Sequence, residues 1–167
     1  MKSISLLAGL ALLGGCASMQ RLQPATPPDY TGPTANVADQ VTQVGNELLH
    51  VFEITQVDDR RLLSTSAATV RANQGRGFAV SPVALTNELP LRPARVHLQA
   101  LTQYGAPLLA LKGATCQARG EVAFTPEAGK AYRVAGRIAP EACEAWIEDK
   151  ATGQVVTDKV TAPGTGR

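Results

Sequence analysis

From position 95 to 104 the chain alternates. Val96, Leu98, Ala100, Thr102 and Tyr104 share one side of an extended backbone, and Arg95, His97, Gln99, Leu101 and Gln103 share the other. Successive strand side chains point to opposite faces, so this period of two predicts a half-buried strand. Positions 115–124 repeat the pattern, with Cys116, Ala118, Val122 and Phe124 on one face. Positions 131–138 do so again, with Tyr132, Val134 and Ile138 facing one way and Arg133 and Arg137 the other. The glycine-bearing stretch TPEAGK between these two runs predicts a hairpin. Further strands are expected at Leu48–Val57, Ala142–Asp149 and 155–160, with KATGQ as the turn before the last. DDRR reads as a turn into a partner strand starting at 62–64, and Phe78–Val80 with Leu85 suggests one more short piece. Past residue 16 no stretch of eleven residues keeps a helical period, although one helical turn fits within 66–73. About seven short strands at near-regular spacing predict an all-β domain over 44–160, an antiparallel β-sandwich of immunoglobulin or transthyretin type. A flexible tail is expected at 161–167.

The beginning of the chain has another pattern. Lys2 precedes twelve apolar or small residues, Ile4 to Gly15, broken by Ser5. A membrane-spanning helix needs about 20 residues, so this run has the length of a secretory h-region instead. Leu13-Gly14-Gly15-Cys16 resembles the lipobox of bacterial lipoproteins. The resemblance implies cleavage before Cys16, a diacylglycerol on its sulfur and an acylated amino group. Two or three acyl chains hold a protein stably, whereas one holds it marginally. Ala17 follows Cys16, where inner-membrane lipoproteins of Gram-negative bacteria often carry Asp. The resemblance therefore implies the outer membrane, with the protein in the inner leaflet and facing the periplasm. The segment from 16 to 43 carries Pro24, Pro27, Pro28 and Pro33, a composition expected of a flexible tether that holds the domain clear of the lipid.

With residues 1–15 removed as a signal peptide, one domain's worth of chain remains of the 167 residues. The formal charge of +2 creates no strong field, and three Phe, three Tyr and one Trp are too few for a base-stacking surface, so nucleic acid is not an expected partner. A lipidated Cys16 leaves Cys116 and Cys143, and two cysteines in an oxidising compartment are expected to pair. They do not form a C-x-x-C redox motif, and two sulfurs without neighbouring histidines make a poor zinc site.

Candidate chemistry is sparse. His50 and His97 are the only histidines, no G-x-S-x-G elbow is present, and each histidine reads as a structural or solvated strand residue. NQGRGF, residues 73–78, lacks the G-K-[ST] ending of a phosphate loop and reads as a glycine-rich loop. Asp58 and Asp59 look like a charged hairpin tip. Glu141, Glu144, Glu148 and Asp149 surround Trp146 as a solvated face. No catalytic residue, metal set or cofactor is predicted. The stretch VAFTPEAGKAYRVAG is similar to segments of small envelope lipoproteins with β-sandwich domains. Gly129 and Tyr132 also resemble the Gly-x-x-Tyr segment of lipid-anchored lysozyme inhibitors, with Ala128 where those carry serine. The expected function is a non-catalytic, lipid-anchored module that binds or scaffolds another envelope component. The alternatives are an accessory lipoprotein of a secretion or assembly machine and a hydrolase inhibitor. The expected partners are the membrane and an envelope protein or anionic envelope component. If their strands are neighbours in one sheet, Arg95, Arg119, Arg133 and Arg137 would form one patch for such an anion.

Overall fold

The structure is a computed structural model that describes residues 21–77, 79–111 and 113–164. The expected signal peptide and Cys16 lie outside the described residues. Two sheets pack face to face as an all-β sandwich. The first has the order β10-β9-β8-β1-β5, formed by β1 (Thr34–Ala38), β5 (Thr86–Pro90), β8 (Tyr132–Ile138), β9 (Ala142–Asp149) and β10 (Val160–Pro163). The second has the order β2-β3-β6-β7, formed by β2 (Gln40–Val44), β3 (Leu48–Val57), β6 (Ala94–Tyr104) and β7 (Gln117–Phe124), with the two-residue β4 (Arg60–Arg61) beside β3. All pairings are antiparallel except a short parallel contact of β1 with β8. Two helices, α1 (Thr65–Ala72) and α2 (Pro107–Ala110), lie in the connections.

The inward positions of the alternating runs meet between the sheets. Phe52, Ile54, Val96, Leu98, Ala118 and Val122 come from the second sheet, and Val37, Leu89, Tyr132, Val134 and Ile147 from the first. Burying a side chain of this size stabilises the fold by about 1.5–3 kcal/mol. Cys116, just before β7, is bonded to Cys143 of β9 with a Cα–Cα distance of 6.0 Å, so the disulfide ties one sheet to the other. Gly136 of β8 sits where an added Cβ would meet the Glu144 carbonyl oxygen and the Phe52 ring, which is why this central position carries no side chain.

Several local expectations are corrected. The run over 115–138 is not a hairpin, because β7 and β8 belong to different sheets. Both strands have an apolar face to bury, and an arch between sheets lets those faces meet across one core. The Phe124 and Tyr132 rings seal the arch edge to face at 5.0 Å. Leu62–Ser64 does not begin a strand. β4 ends at Arg61, and Leu62 turns inward ahead of α1. The short piece expected at 78–85 forms instead at β5, and the strand expected at 155–160 lies later, at β10. Thus 161–163 are paired strand, not tail.

The described part of the expected 16–43 tether, residues 21–43, is folded against the domain. Gln23 N–H donates to the Arg61 carbonyl at 2.9 Å, Ala25 is buried in the core, and Thr26 Oγ1 donates to the Glu88 carbonyl at 2.6 Å. The segment therefore runs from β4 of the second sheet to β5 of the first. Proline suits such a path because its missing N–H leaves no unpaired donor. β1 and β2 follow, and the chain changes sheets at Asp39 between them. There the Asp39 carboxylate accepts Ile54 N–H at 3.0 Å, just beyond the point where backbone pairing of β2 with β3 stops at Gln40 and Phe52.

Candidate functional site

The face of the second sheet turned away from the core carries the most unusual chemistry of the molecule. Register sets Glu53 of β3 opposite Gln99 of β6, and Gln99 opposite Arg119 of β7, so the three form one polar row across the sheet. One step along β3 the same face is apolar. Leu49 and Val51 are buried with Val80 and pack against Leu101. Such a face cannot stand in water without loss, and α1 with the segment after it covers it.

Two buried carboxyl groups hold that cover down. Glu53 has no exposed surface; its Oε2 accepts the Ser66 N–H at 2.6 Å and its Oε1 accepts the Ser66 hydroxyl at 2.7 Å. Ser66 lies in the first turn of α1, where backbone N–H groups lack partners within the helix and favour negative charge. Ser64 caps the same turn by accepting Ala67 N–H at 3.2 Å. Asp39 supplies the second hold: its Oδ2 accepts the Thr65 hydroxyl at 2.7 Å, and Thr65 Oγ1 accepts Leu85 N–H at 3.0 Å. Burial pushes the Asp39 carboxyl up to about 7, against the lowering effect of its bonds from Thr65 and Ile54. Burial also raises Glu53, while the bonds from Ser66 and the charge of Arg119 pull it down.

Beside Ser66 the polar row opens into a cleft of about 290 Å³, lined by Leu22, Glu53, Arg61, Leu63, Gln99 and Arg119 among others. Gln99 is only 5% exposed, and its side-chain amide has no hydrogen-bond partner among the described residues. Arg61 and Arg119 form no ion pair among the described residues. Several other arginines do: Arg92, between β5 and β6, with Asp58 at 3.1 Å, Arg95 with Asp59 and Glu121 at 3.7 and 3.9 Å, Arg133 with Glu148 at 2.6 Å and Arg137 with Glu144 at 3.8 Å. The cleft thus gathers two guanidiniums that form no ion pair, one of them acting on Glu53 through its charge, the Gln99 amide and the apolar side chains of Leu22 and Leu63.

The four-arginine patch does not assemble. Arg95 and Arg119 lie on β6 and β7, and Arg133 and Arg137 lie on β8 of the other sheet, so the sandwich separates them two and two on opposite outer faces. Only Arg119 reaches the cleft. His97 Nε2 lies 3.1 Å from Glu121 Oε2 on the second sheet. Half-buried His50 has its pKa lowered by burial. Residues 73–77 form a loop with positive φ at Gly75 and Gly77, and Asp58 and Asp59 form the β3–β4 turn. Among the described residues no group of three or more His, Cys, Asp or Glu side chains is placed to hold a metal ion.

Asp39, Glu53, Gln99 and Arg61 were not singled out by sequence. A signal was present, since Leu49, Val51 and Leu101 share parity with Glu53 and Gln99. Apolar residues on a supposedly wet face are the mark of a covered face. Compared with known proteins, the chain matches no family model, no curated protein and no solved structure.

Proposed function

We propose that this protein is a lipid-anchored module of the bacterial cell envelope that binds another envelope component without catalysis, through the cleft on its second sheet. The observation that carries this reading is the Cys116–Cys143 disulfide between the sheets. Disulfides persist in oxidising compartments such as the periplasm, and this one uses the two cysteines left over when Cys16 is assigned to the lipid. The lipobox resemblance of Leu13-Gly14-Gly15-Cys16 supports the same address. The cleft supports binding over turnover. Both oxygens of Glu53, the carboxyl group in its floor, already accept from Ser66, and a guanidinium does not exchange protons near neutral pH. The test is Cys16→Ala. The parent protein is expected in the membrane pellet with the mass of an acylated N-terminus, and the variant in the soluble periplasm. Pelleting that the substitution leaves unchanged overturns the anchor.

A further inference from the structure

The folded domain begins much closer to Cys16 than a proline-rich tether would place it. Gln23 is already bonded to Arg61, and Leu22 lines the cleft. From Cys16 to Leu22 there are six Cα–Cα steps in the sequence. Chain geometry allows at most about 3.6 Å for each, or roughly 20 Å in all. If Cys16 carries the lipid, Leu22 stays within that distance of the anchored sulfur, close enough for the surface around it to reach the headgroups. A 28-residue tether over 16–43 would have allowed several times that distance.

The surface held there has the composition of a membrane contact. Leu22 and Leu63 are 55% and 39% exposed, and both line the cleft with Arg61 and Arg119. Arg21, the first described residue, likewise forms no ion pair among the described residues. The nearby acids are largely committed: Asp58 to Arg92, Asp59 to Arg95, and Glu53 to Ser66 in the cleft floor. Arginines without ion pairs beside exposed leucines match a layer of anionic phosphate over hydrocarbon, since a guanidinium pairs with phosphate through two parallel N–H bonds.

We propose that this face docks on the membrane to which the protein is anchored, with Arg61 and Arg119 on the phosphates of anionic phospholipid headgroups and Leu22 and Leu63 seated among them. The inference rests on the lipid-anchor reading of Cys16. It makes the anchor an orienting device: the envelope component met by the cleft is the phospholipid headgroup, and the first sheet's outer face, with Arg133 and Arg137, is turned toward the periplasm.

The test uses the full acylated chain reconstituted in phosphatidylcholine vesicles, with or without phosphatidylglycerol, containing a headgroup-attached nitroxide lipid as quencher. A fluorophore is placed by Leu63→Cys on the docking face or by Arg137→Cys on the opposite face. Stronger quenching at 63 than at 137, increased by phosphatidylglycerol and reduced by salt, is expected. Each arginine near an anionic leaflet is worth roughly fivefold in the docked-to-undocked ratio, so Arg61→Gln with Arg119→Gln should lower that ratio by about twenty-five-fold while the melting temperature holds. Equal quenching at the two positions, or quenching at 63 that ignores both the arginines and phosphatidylglycerol, overturns docking. The anchor is read separately by pelleting and by the acyl mass on Cys16. An acylated protein with equal quenching refutes docking and leaves the anchor standing, whereas an unacylated protein refutes both.

Discussion

At the scale of single residues the decisive groups are buried acids. Asp39 is 5% exposed, and its carboxyl is pushed up to about 7 by burial. A carboxyl with a folded pKa above its unfolded value of 3.8 favours the fold when protonated. Its contribution is complete below about pH 4 and is lost as the pH rises through about 7. Glu53 adds in the same direction. The melting temperature of the protein is therefore expected to fall between pH 4 and pH 8. Asp39→Asn, which keeps an acceptor for Ile54 N–H and cannot ionise, should remove much of that slope. The change in stability across the window is on the order of a few kcal/mol, at about 1.4 kcal/mol for each pKa unit. Scanning calorimetry at stepped pH checks it; a melting temperature that rises over this window in the parent protein contradicts the assignment.

At the scale of elements, the second sheet and its helical cover depend on each other. α1 has 8 residues, fewer than a helix needs to persist alone in water. What holds it is Glu53 on Ser66, Asp39 on Thr65, and the apolar contact of Val80 with Leu49 and Val51. Glu53→Ala leaves the Ser66 N–H without its acceptor and opens a void, which should cost roughly 1–3 kcal/mol. The loss should be local. Amide hydrogen exchange is expected to speed up across 64–85 while β8 and β9 stay protected. Glu53→Gln, which retains an acceptor, should loosen the segment less. Uniform loss of protection in both sheets would show that α1 is integral to the core instead of a cover.

At the scale of the whole molecule, the two sheets are joined by the apolar core, by the chain crossing at Asp39 and by the disulfide. Cys116 and Cys143 are 27 positions apart, a loop whose closure is worth about 3.5 kcal/mol in the chain-entropy model. Replacing both by Ser should lower stability by about that amount in denaturant titrations. The parent protein under reducing conditions should fall to the same level. A parent whose stability is unchanged once reduction is complete would mean that the loop contributes little to the unfolded ensemble. Cys116 is 6% exposed and Cys143 is fully buried, so reduction should require partial unfolding and proceed slowly.

Much of this architecture was legible in the order of residues. The period-two runs at 95–104, 115–124 and 131–138 correspond to β6, β7 and β8, because a strand's two faces are written directly into alternate positions, and the strand expected at Leu48–Val57 is β3. The pairing of Cys116 with Cys143 followed from counting, and the loop at 73–77 from its glycines. Alternation says which side chains share a face but not which strands become neighbours. The expected hairpin at 115–138 became an arch between sheets, and four arginines of suitable parity were divided between two outer faces. The proline-bearing segment before residue 43 reads as a tether by composition, yet the bonds of Gln23 to Arg61 and Thr26 to Glu88 bind it to the domain. Those bonds join residues 38 and 62 positions apart, and such partners are set only when the sheets stack. The cleft has the same origin. Glu53, Gln99 and Arg119 are ordinary polar residues along the chain; cross-strand register aligns them, and the cover over Leu49 and Val51 takes Glu53 out of water.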